Sequence, residues 1–218
     1  MTLEYRHNTL SNHSANETQS LWHAGNEKYN GFGESPARLY GFYLWEPSQR
    51  YCTTVPSDIP KTIKKVGVFV DETTEHIKAK VKIFELDAVQ LHGDESPSQC
   101  TALLSSCEVI KAFRVGLDFD FNILTPYLDH CTYFLFDTQG PLPGGNGTAF
   151  DWELLKGYAL DTPFFLSGGI GLGHVDAIAE IRKRNLPIHA LDINSQFESE
   201  PGVKKIEEIK EFKQRVQL

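Results

Sequence analysis

Cysteine is scarce in this 218-residue chain, and its few positions form no recognisable motif. The four cysteines are Cys52, Cys100, Cys107 and Cys131. None belongs to a CxxC pair or to a spacing typical of metal ligands, and HExxH is absent, so no metal site is expected. A disulfide framework is improbable at this length. The thiols are therefore predicted to be buried or idle in a reducing compartment.

Long apolar runs and an excess of positive charge are also missing. No stretch approaches the ~18 apolar residues of a membrane span, and the first twenty residues have no signal-peptide core. We therefore expect a cytoplasmic protein without a membrane partner. The 29 acidic and 21 basic residues give a net charge of -8, which argues against nucleic acid as the main partner. A small phosphorylated substrate stays compatible, because helix N-termini and a single arginine can bind an anion.

Seven short apolar runs recur along the chain and predict buried parallel strands. They are Leu39–Leu44, Lys65–Val70, Leu86–Leu91, Glu108–Ala112, Thr132–Phe136, Pro163–Leu166 and Ile188–Ile193. These runs are apolar throughout and do not alternate with polar residues, which is typical of strands covered on both faces. Helical patterns lie between the runs, and Val203, Ile206, Ile209 and Phe212 are predicted to share one helix face. The pattern predicts one α/β domain. A (β/α)₈ TIM barrel requires eight strands, so one more strand must be found before Leu39.

Residues suited to chemistry collect where these predicted strands end. The set is Arg50, Gln90, His92, Asp137, Gly168, Gly169, Asp192, Asn194 and Ser195. Carboxyl ends of parallel strands meet on one rim, where α/β barrels build their sites. The loops after the last two strands carry Gly168–Gly169 and Asn194–Ser195, which predicts a phosphate site; the alternative is a pair of ordinary turns.

Asp137 ends a buried strand and is followed by a loop containing Gly144, Gly145 and Gly147. A carboxyl at the mouth of a buried strand, beside flexible backbone, is suited to general acid catalysis. The alternative is that Asp137 only caps the turn and that the glycines are only turn residues. Both interpretations are consistent with this segment alone.

From about Gly41 to Phe212 the chain resembles the phosphoribosylanthranilate isomerases, single (β/α)₈ barrels of tryptophan biosynthesis. The resemblance rests on Val66–Phe69, Val89–Glu95, Phe136–Thr138, Gly144–Trp152, Ser167–Gly169, Leu191–Ser195 and Glu200–Gly202. The glycine-rich loop followed by Phe150–Asp151–Trp152 is the most specific of these matches.

The resemblance implies an Amadori rearrangement of N-(5'-phosphoribosyl)anthranilate to 1-(2-carboxyphenylamino)-1-deoxyribulose 5-phosphate, without metal or organic cofactor. It implies that Asp137 is the general acid that opens the ribose ring and that Arg50 pairs with the anthranilate carboxylate. Gly145, Gly168, Gly169 and Ser195 match the family's phosphate-side positions. Gln90, His92 and Asp192 match residues that line its pocket. Family members occur as monomers and homodimers, and the sequence does not choose between them.

The N-terminal segment departs from the family pattern, in which a first strand ends in Lys-(Ile/Val)-Cys-Gly and the cysteine is the general base. No cysteine precedes Cys52 here. In one interpretation residues 2–6 form the first strand and Glu4 or His7 replaces the base. In the other, which we favour, residues 1–38 are an atypical segment, residues 39–218 supply barrel units two to eight, and the barrel lacks its first strand or fills the place badly.

Two other functions compete with the isomerase. A non-catalytic phosphosugar-binding remnant would keep the phosphate loops and perform no chemistry. Another phosphate-binding barrel enzyme, such as indole-glycerol-phosphate synthase, would need a lysine at a strand end. Lys111, inside the fifth strand, is the single candidate.

Overall fold

Eight parallel strands form a closed barrel. The computed structural model describes residues 2–7, 38–55, 59–140 and 149–216. Around the barrel the strands are β1 (Thr2–His7), β2 (Arg38–Tyr43), β3 (Ile63–Phe69), β4 (Ala88–Leu91), β5 (Glu108–Val115), β6 (Tyr133–Thr138), β7 (Phe164–Leu166) and β8 (Ile188–Ile193). All seven predicted apolar runs coincide with a strand, with ends shifted by a few residues, and the predicted barrel is confirmed.

The first strand closes the barrel. Strand β1 pairs with β2 on one side and with β8 on the other, and Glu4 is in register with both Leu39 and Asp192. The expectation that the barrel lacks its first strand is therefore wrong, and the other interpretation had the strand at the correct place. That residues 1–38 are an atypical segment stays a prediction. A closing strand is held by the backbone groups of two open edges, so it can form without an apolar sequence signal. Residues 8–37 lie outside the described part.

Helices cover the outside of the barrel. They are α1 (Thr74–Phe84), α2 (Pro97–Leu104), α3 (Val175–Arg182) and α4 (Ile206–Val216), with 3₁₀ turns at Phe121–Tyr127, Trp152–Gly157, Leu172–His174 and Ser195–Phe197. The Thr73 and Ser96 side chains accept backbone N–H groups at the starts of α1 and α2, which satisfies donors that a helix leaves unpaired.

A two-stranded hairpin precedes the last helix. Its strands are β9 (Glu198–Glu200) and β10 (Val203–Lys204), joined by a turn in which Gly202 has φ +91°. The prediction that Val203 belongs to the C-terminal helix is wrong, since the helix begins at Ile206. Val203 has the spacing of a residue on the apolar face of this helix. Spacing alone cannot show that the chain leaves a strand between Val203 and Ile206.

The barrel interior is layered, as the alternation of side chains along each strand requires. On β6, Tyr133, Leu135 and Asp137 occupy the amino end, the middle and the mouth of the same strand. The middle layer is a buried apolar cluster of Leu39, Val66, Ala88, Ile110, Ala112, Leu135, Phe165 and Ala190. Two positions beyond that layer, Gln90, Asp137 and Asp192 are buried polar residues at the mouth. Because every second side chain of a strand points to the same face, these three residues must point into the barrel above the middle layer.

Candidate active site

A pocket opens at the carboxyl ends of the strands. It is lined by Tyr43, His92, Asp137, Ser167, Gly168, Gly169, Ile170, Asp192, Asn194 and Ser195. With its open mouth the pocket has a volume of ≈ 310 Å³. Residues from β2, β4, β6, β7 and β8 or the loops after them therefore meet on the rim that the sequence predicted.

Asp137 and His92 form a buried pair in this pocket. The His92 Nε2 atom lies 3.2 Å from Asp137 Oδ2, and both side chains are almost fully buried. Behind the ring, the Gln90 amide Nε2 lies 2.7 Å from His92 Nδ1. An amide nitrogen only donates, so Nδ1 accepts and the neutral ring carries its proton on Nε2, towards the carboxyl. The other Asp137 oxygen, Oδ1, accepts the Thr138 backbone N–H at 2.9 Å. The carboxyl is thus held in one orientation with Oδ2 at the pocket.

Gly168 allows the loop after β7 to approach this carboxyl. Its φ of +88° is a left-handed conformation that side chains disfavour. A Cβ atom at this position would lie 2.3 Å from Thr138 Oγ1 and 3.0 Å from Asp137 Oδ1. Glycine is therefore required by both backbone conformation and space, and the loop packs directly on the end of β6.

A second carboxyl, that of Asp192, faces the same pocket. The Ser167 hydroxyl donates to Asp192 Oδ2 at 2.8 Å, and both residues are buried. Ser167 was not predicted as a site residue, although its position at the end of β7 is the signal that identified the others. Tyr43, at the end of β2, was missed in the same way.

Arg50 is not among the residues that line the pocket, but a chain of polar contacts joins it to them. Its Nε and Nη2 donate to Glu198 Oε2 at 2.9 and 2.6 Å. Lys204 Nζ donates to Glu198 Oε1 at 2.8 Å and to Asn194 Oδ1 at 2.6 Å. The Asn194 amide donates to the Tyr43 hydroxyl at 3.0 Å. Glu198 and Lys204 were not predicted as site residues.

The charges in this chain of contacts alter one another's ionisation. Burial lowers the pKa of Lys204 to about 8, although the Glu198 carboxylate opposes that shift. Burial acts to raise the pKa of Glu198, but Arg50 and Lys204 together outweigh it and the pKa lies below its usual value. Glu198 is therefore an anion between two cations at neutral pH.

Lys111 lies apart from the pocket lining. Its Nζ contacts Glu95 Oε2 at 3.0 Å and the backbone carbonyls of Leu91 and Gly93 at 3.3 and 2.7 Å. Glu95 in turn accepts the Gly93 backbone N–H. This buried pair fixes the segment that carries His92, so its role is to hold the loop after β4.

The predicted site residues thus occupy different places in the structure. The pocket brings together His92, Asp137, Gly168, Gly169, Asp192, Asn194 and Ser195. Gln90 stands behind His92, and Arg50 is connected through Glu198 and Lys204. Gly145 lies outside the described residues. Glu4 and His7 belong to β1.

Within residues 2–7, 38–55, 59–140 and 149–216, no three His, Cys, Asp or Glu side chains are placed to hold one metal ion. No helix in the same part of the chain is long and apolar enough to cross a membrane.

Comparison with known proteins identifies the family. A family model described as N-(5'-phosphoribosyl)anthranilate (PRA) isomerase matches residues 27–215. The N-(5'-phosphoribosyl)anthranilate isomerase of Parabacteroides distasonis is 40% identical over 183 residues, which cover 81% of this chain and 82% of the relative. The chain belongs to the N-(5'-phosphoribosyl)anthranilate isomerase family.

Solved structures of that family have the same fold. The phosphoribosyl anthranilate isomerase from Thermus thermophilus superposes with a TM-score of 0.77 at 25% identity, covering 100% of this chain and 98% of the other. A second phosphoribosyl anthranilate isomerase, in complex with reduced 1-(o-carboxyphenylamino)-1-deoxyribulose 5-phosphate, gives 0.74 at 26% identity over 99% and 98%. Membership confirms the predicted resemblance, the TIM barrel and an isomerase of tryptophan biosynthesis.

Proposed function

We propose that this chain converts N-(5'-phosphoribosyl)anthranilate to 1-(2-carboxyphenylamino)-1-deoxyribulose 5-phosphate, with Asp137 as the general acid. The observation that carries the proposal is the buried array of Gln90, His92 and Asp137 at the mouth of the barrel. An acid that opens a sugar ring needs a fixed orientation and a partner that stabilises the anion left behind. The array supplies both.

The reaction begins with transfer of a proton from Asp137 to the ribose ring oxygen. As the C1'–O bond breaks, the anthranilate nitrogen lone pair forms the C1'=N bond of a protonated Schiff base. Asp137 becomes a carboxylate, and the electrostatic attraction of the His92 ring, whose Nε2 lies 3.2 Å from Oδ2, stabilises this negative charge. A base then removes the C2' proton, and the electron pair left behind gives the enolamine, which tautomerises to the ketone. Atoms and charge balance, so no cofactor enters.

The two anionic ends of the substrate fit different parts of the site. We assign the phosphate to the loops after β7 and β8, where Gly168, Gly169 and Ser195 line the pocket. We assign the anthranilate carboxylate to Arg50. The reduced product in the related complex carries both a phosphate and a carboxylate, which supports a phosphoribosyl substrate here. Asn194 holds the phosphate-side loop through Tyr43 and Lys204, and we assign it to substrate binding because it lines the pocket.

Glu4 is our proposal for the general base. No cysteine precedes Cys52, so another group must accept the C2' proton. The register of β1 sets Glu4 beside Asp192 and Leu39, whereas His7 is beside Phe42. Since Asp192 lines the pocket, the Glu4 position is the one next to the reacting groups. Glu4→Gln is expected to reduce turnover by ~10²–10⁴-fold. His7→Gln is the matched comparison, and a loss confined to His7→Gln would reverse the assignment.

A single assay tests the acid. The purified full chain is mixed with freshly generated N-(5'-phosphoribosyl)anthranilate, and the loss of substrate fluorescence is followed. Asp137→Asn is expected to lower kcat by ~10²–10⁴-fold. Asp118→Asn, at an exposed carboxyl beyond β5, is the matched control and should leave turnover unchanged. Full turnover by Asp137→Asn would exclude the proposed role.

The same assay separates the competing functions. A wild-type chain that binds the reduced product without any turnover would be a phosphosugar-binding remnant. Lys111 does not fit the catalytic lysine that the synthase alternative requires, because it is bound to Glu95 and to backbone carbonyls and does not line the pocket. We further expect a monomer or homodimer in the cytoplasm, with no nucleic acid partner.

A further inference from the structure

Two buried opposite charges sit on the hairpin between β8 and α4, away from the reacting groups. The side chains of Glu198 and Lys204 are only 2% and 7% exposed. The two residues face each other across the hairpin register. Burying charges is costly unless each has good partners, so such a pair on a short hairpin calls for a role beyond folding.

Glu198 divides its two oxygens between two cations. Oε2 accepts both Nε and Nη2 of Arg50, and Oε1 accepts Lys204 Nζ. With both oxygens bound, the carboxylate cannot rotate. Two bonds on one edge of the guanidinium fix its plane, and the Nη1 side of Arg50 is not part of this pair. The arginine is thereby oriented before any ligand arrives.

Lys204 extends the contact to the loop after β8. Its second bond goes to Asn194 Oδ1, and Asn194 and Tyr43 both line the pocket. Through the cross-strand pair of Glu198 and Lys204, the hairpin thus contacts both the arginine and the phosphate-side loop. Glu198 and Asp192 both act on Lys204, whereas Glu198 is the carboxylate that contacts Arg50. The guanidinium is a fixed cation that can pair with an anionic group.

We propose that Glu198 and Lys204 are positioning residues for the isomerase reaction, which set the distance between the carboxylate-binding Arg50 and the phosphate-binding loop. The proposal rests on the proposed function. It predicts that the hairpin acts on substrate binding through Arg50 and Asn194, and leaves the proton transfers at Asp137 unchanged.

Glu198→Gln is the first test. This variant keeps the shape of the side chain and removes the charge, and Glu200→Gln on the exposed side of the same hairpin is its matched control. We expect KM to rise about tenfold or more, since a charged hydrogen bond contributes roughly 1.5–3 kcal/mol, with kcat near the wild-type value. Titration calorimetry with the reduced product should show the same loss of affinity. Inorganic phosphate, which lacks the carboxylate, should bind as it does to the wild type.

Lys204→Gln is the second variant and serves if Glu198→Gln fails to fold. It should weaken the binding of both probes, because Lys204 also holds Asn194. A double-mutant cycle of Glu198→Gln with Arg50→Lys then asks whether Glu198 acts through the arginine. We expect the combined effect to be no larger than that of Arg50→Lys alone.

Two results would overturn the proposal. One is wild-type affinity of folded Glu198→Gln or Lys204→Gln for the reduced product. The other is full additivity in the cycle. Failure of the proposed function has a different signature, namely absence of turnover by the wild-type chain, and the calorimetry does not depend on turnover.

Discussion

The two ends of the barrel use the same alternating positions for opposite purposes. Strand β6 places Tyr133 at the amino end and Asp137 at the mouth, with Leu135 between them on the same face of the strand. At the amino end the polar groups satisfy one another, because Lys64 Nζ contacts both oxygens of Glu108 at 2.8 Å. At the mouth the carboxyls of Asp137 and Asp192 surround open space.

Aromatic packing completes the amino end. Tyr133 lies against Phe165 at 5.4 Å between ring centroids and against His189 at 4.4 Å. At the described part of the mouth, Gly168 and Gly169 line the pocket beside the rings of Tyr43 and His92, and open space remains between these residues. The difference shows that one end of this barrel contributes stability and the other holds groups apart for a ligand.

The largest effect is expected for Phe165→Ala at the closed end. Phe165 is fully buried in the barrel interior and contacts both Tyr133 and His189. Its truncation should lower the free energy of unfolding by about 3–5 kcal/mol, measured by urea denaturation. At a temperature where the variant is folded, kcat should match the wild type. Loss of turnover with unchanged stability would invalidate the division between the two ends.

An intermediate effect is expected for Gln90→Met at the mouth. The substitution removes the donor to His92 Nδ1, so the ring can move its proton to Nδ1 and turn a bare Nε2 towards Asp137. Losing a buried hydrogen bond costs about 1–3 kcal/mol, which corresponds to a fall in kcat of roughly 5- to 150-fold. Stopped-flow or steady-state rates measure it. Unchanged kcat would mean that the tautomer of His92 does not matter.

The smallest effect concerns His189 and acid. Burial, and then Lys64, lower the pKa of His189 below its usual value of 6.5. The unfolded chain therefore takes up this proton at a higher pH than the folded one. The stability that His189 contributes is present above pH 6.5 and is lost as pH falls through the folded-state pKa.

His189→Phe should remove that pH dependence. The free energy of unfolding is measured for both proteins at a neutral and a mildly acidic pH. The wild type should lose more stability on acidification than the variant. The effect is small because His189 is only half-buried. Equal losses in the two proteins would show that other groups dominate the acid sensitivity.

Much of the barrel and its pocket could be predicted from the sequence because both follow strand period. Apolar runs mark strands buried on both faces, and polar residues at their ends mark the mouth, as Gln90 and Asp137 demonstrate. Strand β1 could not be recognised in this way, because backbone pairing with β2 and β8 holds it in place and its own sequence has no apolar run. The Arg50–Glu198 contact joins residues 148 positions apart, and no local pattern encodes such a contact.

The most direct test of Asp137 as the general acid is titration calorimetry of Asp137→Asn with reduced 1-(o-carboxyphenylamino)-1-deoxyribulose 5-phosphate. We propose that Asp137 transfers a proton, whereas Arg50 and the loops after β7 and β8 bind the ligand. We therefore expect a variant that has lost turnover and binds this compound with wild-type affinity. Loss of affinity in proportion to the loss of turnover would contradict this proposal and make Asp137 a binding residue.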